Sequence, residues 1–63
     1  MEDWKEIVVV ERDRLNMRID ALQTFLNSEE CEKIAPGDKQ LIVEQSCAMV
    51  LYLCALDRRI AGF

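Results

Sequence analysis

The fold is decided by residues 42–63, which read IVEQSCAMVLYLCALDRRIAGF. Apolar residues and one serine recur in this stretch at alternating spacings of four and three, which is the pattern of a helix that packs along a seam. The seam consists of Ile42, Ser46, Met49, Leu53, Leu56, Ile60 and Phe63. We therefore predict a long second helix over about residues 39–61, with this seam against a partner helix.

The same helix carries a second apolar stripe, one position further on. This stripe consists of Val43, Cys47, Val50 and Cys54. One partner helix covers only one side, so a helix that is apolar on several sides needs a further neighbour. We expect that neighbour to come from another copy, in a homo-oligomeric helical bundle; dimer, tetramer and hexamer all remain open. The residues expected in the core or at the subunit interface are Ile42, Cys47, Met49, Val50, Leu53, Cys54, Leu56 and Ile60.

The other half of the chain, before Pro36-Gly37, predicts a first helix over about residues 3–26. Its apolar residues recur at spacings of three, four or seven, which places them on one helical stripe. Glu2 and Asp3 stand at its start, where the helix dipole favours acidic side chains. The members of the stripe are Val8, Leu15, Ile19, Leu22 and Leu26.

The connector, about residues 27–38, lets the two long helices fold back on each other. We expect Asn27 and Glu30 to form a capping box and a short helical turn to follow over residues 29–34. Pro36-Gly37 then makes a turn, and Asp38 is expected to cap the second helix. The predicted fold is all-α: an antiparallel two-helix hairpin with a short helical turn in its connector, in a single domain over residues 1–63.

The chain has only 63 residues, so its core is small and needs reinforcement. Its three cysteines are an odd number without the spacing of a disulfide framework, and we expect them to be reduced and in the core. The absence of histidine and of closely spaced cysteines predicts no metal site and no cofactor. Self-association is the remaining way to enlarge the core.

The overall charge and the residue types argue against several classes of function. A net charge of −4 is unlike the basic surface of a DNA- or RNA-binding domain. The sequence has neither a histidine that could act as a general base nor a glycine-rich phosphate loop, so we expect that the protein is not an enzyme. We also expect a cytoplasmic protein that does not enter a membrane, because no signal peptide is evident and the longest uncharged run, residues 45–56, is too short to span one.

The arginines are the best candidates for a binding site. Arg58 and Arg59 end the second helix, and antiparallel pairing would place them near Glu6 and Asp3, so interhelical ion pairs are the simpler interpretation there. Arg12 falls on the seam of the first helix. It must therefore extend to solvent, pair with an acid or face a cavity between subunits.

Arg14 and Arg18 lie one turn apart, on a helix face that they share with Ile7 and Phe25. Placed beside an aromatic ring of a neighbouring copy, such arginines would form a basic pocket suited to a nucleotide or another planar anion. The candidate ligand-binding residues are Trp4, Arg12, Arg14, Arg18, Tyr52, Arg58 and Arg59.

Two motifs resemble a known group of proteins. The first is Glu11-Arg-Asp-Arg-Leu15 with Arg18-Ile19, and the second is the Gln-x3-Met-x2-Tyr-x3-Leu-x2-Arg-Ile pattern that begins at Gln45. Together they resemble small phage-encoded helical-hairpin proteins related to a product of crAss-like phages. The resemblance implies a phage protein that works in the cytoplasm of an infected bacterium.

In size and class the chain is also similar to phage sponges that capture the nucleotide signals of the CBASS and Thoeris immune systems. This similarity implies an immune-evasion protein that sequesters a cyclic oligonucleotide or ADP-ribose-type signal at subunit interfaces. One alternative is a non-catalytic interaction module that inhibits or bridges a host or phage protein through an apolar helical face. Another is a purely structural assembly unit.

Overall fold

The computed structural model describes residues 3–63, which form an all-helical hairpin. Its helices are α1 (Trp4–Leu26), α2 (Glu29–Glu32) and α3 (Pro36–Ala61). The two long helices pack against each other along their length, and α2 lies in the connector between them. The predicted all-α hairpin is therefore confirmed, while its assembly into a bundle stays a prediction.

α1 begins where the acidic residues predict. Asp3 is its N-cap, and the carboxylate accepts a hydrogen bond of 3.2 Å from the backbone N–H of Lys5. Glu2, the other acid predicted to favour this helix start, lies outside the described residues. The helix ends at Asn27, whose side-chain amide donates to the carbonyl of Gln23 at 3.0 Å.

The predicted capping box between Asn27 and Glu30 is wrong. Asn27 closes α1, and Ser28 is the residue that precedes α2. The hydroxyl of Ser28 donates back to the carbonyl of Phe25 at 2.6 Å, so it satisfies the end of α1 and does not cap α2. α2 is also shorter than the predicted turn over residues 29–34.

The prediction that Asp38 caps the last helix is also wrong, because α3 begins at Pro36, before the predicted start at residue 39. Ala35 is the N-cap, with extended backbone angles of −63° and 144°. Proline fits the first turn of a helix, because its fixed φ is already helical and its missing N–H would have no partner there. Asp38 lies instead within the first turn, where its negative charge interacts favourably with the positive end of the helix dipole.

The core lies along the α1–α3 contact. Its buried members are Val8, Leu15 and Ile19 from α1 and Leu56 from α3. Partly buried seam residues of α3 pack against them, namely Met49, Leu53 and Ile60. The polar seam residue Ser46 is buried as well, at 8% exposure, and Ile42 is half-buried.

The second apolar stripe of α3 lies outside this core. Val43 and Val50 are each 38% exposed, and Cys47 and Cys54 are exposed. The prediction that all three cysteines are core residues is therefore wrong within a single chain, where Cys31 of α2 is the buried one. Each chain thus leaves an apolar strip of α3 open to whatever surrounds it.

By length and composition alone, α3 could cross a membrane, and only 11% of its most apolar 18-residue stretch is buried. The core helix of a soluble protein meets the same criterion. The sequence-based expectation differed because it counted only the uncharged run of residues 45–56, whereas the apolar part of α3 extends beyond that run.

Candidate functional site

One flank of the hairpin has an open groove between α1 and α3, with a volume of about 540 Å³. We call it the arginine groove. α1 supplies most of its wall, because residues spaced by three and four project from one side of a helix. α3 contributes Tyr52. The residues that line the groove are Ile7, Val10, Glu11, Arg14, Leu15, Arg18 and Tyr52.

The groove is basic because it contains two arginines and one acid. Arg14 and Arg18 are one turn apart, which is about 6 Å along the helix axis. Both are exposed, and the salt bridges found within residues 3–63 include neither of them. Glu11 takes part in none of these salt bridges either. The guanidinium donors in the groove are therefore available to an incoming anion.

Arg12 is different, since its guanidinium already has two carboxylate partners. Its Nε donates to Oδ1 of Asp57 at 2.8 Å, and an amino nitrogen donates to Oδ1 of Asp13 at 3.0 Å. The hydrogen bonds that Arg12 donates to Asp13 and Asp57 raise the pKa of Arg12, because they favour its charged form. The sequence left three possibilities for Arg12, namely extension to solvent, pairing with an acid, or a cavity between subunits, and the structure shows pairing with an acid. Arg12 does not line the groove.

The ion pairs expected for Arg58 and Arg59 with Glu6 and Asp3 are absent among the described residues, so that prediction is wrong. Asp57 lies opposite Arg12, about one helical turn further along α1 than the expected pairing would place it. Asp57, and not Arg58, reaches α1.

Trp4 lies at the open end of the hairpin and not in the groove. Its ring meets that of Phe63 edge-on, with centroids 5.1 Å apart and an angle of 81° between the planes. The ammonium group of Lys5 lies 5.8 Å from the centroid of the Phe63 ring. These contacts join the N-terminal end of α1 to the C-terminal end of the chain.

The structure thus brings Arg14, Arg18 and Tyr52 together within one chain. The other candidate ligand-binding residues, which lie outside the groove lining, are Trp4, Arg12, Arg58 and Arg59. Sequence reasoning missed Glu11 and Val10 as groove residues. Glu11 was detectable, because the spacing of residues 7, 11, 14 and 18 is that of one helical face.

A smaller groove of about 340 Å³ adjoins the first along α1. Arg18 lines both, and the second groove is otherwise mostly apolar, with Phe25 and Leu22 from α1 and Met49 from α3. The described residues contain no group of three or more His, Cys, Asp or Glu side chains that could hold a metal ion. Anion binding, with Arg18 central to both grooves, is the chemistry that this flank supports best.

The sequence matches the family model described as Sequestin over residues 2–62, almost the entire chain. No curated protein and no solved structure matches it. The family match fits the class of nucleotide-sequestering sponges, while nothing in these comparisons bears on the resemblance to crAss-like phage products. Given that the match extends over both long helices and the whole arginine groove, the chain belongs to the Sequestin family.

Proposed function

We propose that the protein binds and sequesters a small nucleotide-type signal in the arginine groove. The observation that carries this proposal is the meeting of Arg14, Arg18 and Tyr52 in one groove, with neither arginine in a salt bridge among the described residues. The family name also denotes sequestration of a ligand or signal. In a chain of net charge −4, such a local basic site favours a small anion over a nucleic-acid duplex.

The side chains suit the two halves of a nucleotide. Arginine presents a planar fork of donors that matches phosphate oxygens, and each charge-assisted hydrogen bond contributes about 1.5–3 kcal/mol. The ring of Tyr52 offers a stacking surface, and base–aromatic stacking contributes about 1–3 kcal/mol per base. Glu11 can accept hydrogen bonds from a base amino group or from ribose hydroxyls.

We further propose that the protein acts by holding this signal without turning it over. In the setting implied by the sequence resemblance, it is a phage protein in the cytoplasm of an infected bacterium. There it would keep a cyclic oligonucleotide or ADP-ribose-type signal from an immune receptor. Such a protein acts by mass action, so it must be present in amounts comparable to the signal.

Calorimetric titration tests the proposal directly. The probes are a cyclic dinucleotide, a cyclic trinucleotide and ADP-ribose, with inorganic phosphate and adenosine as the separate halves. We expect at least one probe to bind, and to bind more tightly than either half. Mass spectrometry of the released probe should find it chemically unchanged.

The matched variants are Arg14→Gln with Arg18→Gln and, as a control, Arg59→Gln. The double variant should lose about a hundredfold or more in affinity, because two charge-assisted contacts are removed. The control removes an arginine outside the groove lining and should bind like the parent protein. Absence of binding by every probe, or equal binding by the double variant, would contradict the proposal.

The exposed apolar stripe of α3 favours a second candidate function, that of a non-catalytic interaction module for a host or phage protein. The two proposals differ in what happens to the stripe. A sponge whose copies cover it leaves no large apolar face exposed in the assembled protein. An interaction module keeps that face accessible, which binding of a hydrophobic dye to the assembled protein would detect.

A further inference from the structure

The apolar stripe and the arginine groove lie on opposite flanks of the hairpin. We call the stripe formed by Val43, Cys47, Val50 and Cys54 the outer stripe. Val50 is seven residues before Asp57, so both project from the same side of α3, the side on which Asp57 pairs with Arg12. Tyr52 is two residues from Val50 and projects about 200° around the helix from it, into the groove.

The single chain exposes more surface than a folded monomer of its size. Its accessible surface is 4954 Å² for a mass of 7.3 kDa. The surface expected for a monomer of that mass is about 4,160 Å², so the excess is about 790 Å². A standard protein–protein interface buries about 800 Å² on each partner. The excess is thus the area that one interface removes.

The shape of the hairpin explains this excess. The chain is a rod of 47 × 17 × 13 Å, which is two helices wide and one helix thick. A second rod that packs on its flank doubles the narrow dimension and covers the outer stripe. A second copy of the chain fits this role because its own outer stripe needs the same cover.

We propose that the outer stripe is the contact between two copies of the chain, paired antiparallel about a two-fold axis close to Leu51. In this arrangement each copy keeps its arginine groove open on the opposite flank. The proposal rests on the outer stripe and not on the proposed function, so it stands or falls independently of nucleotide binding.

Charge complementarity supports the antiparallel direction. Glu44 precedes Leu51 by seven residues and Arg58 follows it by seven, so all three lie on one side of α3. An antiparallel pair brings Glu44 of each copy towards Arg58 of the other, so two pairs of opposite charge flank the contact. Within residues 3–63 neither side chain takes part in a salt bridge.

A lipid bilayer is a poorer occupant of the stripe, although α3 is long and apolar enough to enter one. α1 packs along α3 and would enter with it, together with its charged residues. Charged side chains are costly at the centre of a bilayer. The charged residues in the middle of α1 are Glu11, Arg12, Asp13, Arg14, Arg18 and Asp20.

Cysteine cross-linking tests both the contact and its direction. Cys47 and Cys54 lie on either side of Leu51, so the antiparallel pair places Cys47 of one copy close to Cys54 of the other. A short bismaleimide should therefore link two copies of the parent protein. Cys47→Ser alone and Cys54→Ser alone should each lose most of the cross-linked product, while an equal mixture of the two variants should recover up to about half of it, because half of the randomly paired dimers are mixed.

The pattern of products distinguishes the alternatives. Undiminished linking in each single variant would mean that like cysteines meet, and this result would overturn the antiparallel pairing. Cys31 is fully buried and serves as an internal thiol that should not react. Any cross-link that persists when both Cys47 and Cys54 are serine would also overturn the assignment.

Sedimentation of Val50→Lys, with Leu41→Lys as the matched control, tests the contact without chemistry. Both substitutions place a lysine at an exposed apolar position of α3, and only Val50 belongs to the outer stripe. We expect a dimer for the parent and for Leu41→Lys, and a helical monomer for Val50→Lys. A parent protein that stays monomeric at high micromolar concentration, or that associates only in the presence of phosphatidylcholine vesicles, would overturn the proposal.

Discussion

The two flanks of the hairpin are built from the same pair of helices but differ in how their arginines are used. On the flank of the outer stripe, Arg12 is held by Asp57 across the helix pair, and an apolar strip runs beside this ion pair. On the groove flank, Arg14 and Arg18 lie beside Tyr52 outside any salt bridge within residues 3–63. An arginine whose donors are already occupied contributes to structure, and one whose donors are free can bind.

This difference arises from a spacing of two residues. Arg12 and Arg14 project about 200° apart on α1, so they reach opposite flanks although they are close in sequence. Composition alone treats them as one basic cluster. The positions of Asp57 and Tyr52 on α3 decide which arginine is paired and which is not. The two proposals accordingly assign one flank to assembly and the other to the ligand.

The largest expected effect is loss of the core that both flanks share. Leu56 is only 1% exposed and contacts α1, so Leu56→Ala should lower the free energy of unfolding by about 2–5 kcal/mol. In a chain this small that loss approaches the whole stability. Urea unfolding at fixed protein concentration measures it. Leu41→Ala, at a position 64% exposed, is the control, and an equal loss in both variants would refute this description of the core.

The next largest effect concerns the groove flank alone. Removing the ring in Tyr52→Ala should weaken nucleotide binding by about ten- to a hundredfold, the equivalent of one stacked base. Tyr52→Phe keeps the ring and should bind nearly as well as the parent protein. Calorimetry with the tightest probe measures both variants. Comparable losses in the two variants would assign the effect to the hydroxyl group and argue against stacking.

Added salt should affect nucleotide binding and self-association differently, although the change is smaller than that expected for Tyr52→Ala. Raising ionic strength from about 0.05 to 0.5 M screens the attraction between exposed arginines and phosphate, so nucleotide affinity should fall severalfold. Association through the outer stripe is mainly apolar and should change little. Parallel calorimetry and sedimentation at each salt concentration measure the two responses. A dimer that dissociates as steeply as the ligand would contradict the apolar contact.

The smallest effect is expected when the ion pair between Arg12 and Asp57 is broken. Arg12→Gln removes a solvent-exposed pair with Asp57, so the thermal midpoint should fall less than in any core variant, and added salt should reduce the difference. Asp57→Asn in the same protein should add little further loss, because the pair is already broken. Nucleotide affinity should stay unchanged. A strong loss of affinity would place Arg12 in the site after all.

The hairpin and its seam were predictable from the sequence, because alternating spacings of four and three leave no other regular structure. The offset of the helix pairing was not, because it depends on the geometry of residues 27–35. The sequence-based pairing placed Arg58 and Arg59 near Glu6 and Asp3, whereas the structure pairs Asp57 with Arg12, nearer the middle of α1.

The candidate site was predictable in its residue types but not in its composition. The one-turn spacing of Arg14 and Arg18 and the need for an aromatic partner were visible in the sequence. Which ring they meet depends on the crossing of the two helices, and the structure selects Tyr52 and leaves Trp4 against Phe63. It also brings the three residues together in one chain, where the sequence had suggested a neighbouring copy.

The most direct test of the central claim, that the two flanks act independently, is calorimetric titration of Val50→Lys, the variant expected to be monomeric, with the tightest nucleotide probe. The separate flanks predict one ligand per chain and an affinity within about threefold of the parent protein. Loss of binding in a variant that remains helical would contradict the account, because it would show that the site is completed by a second copy.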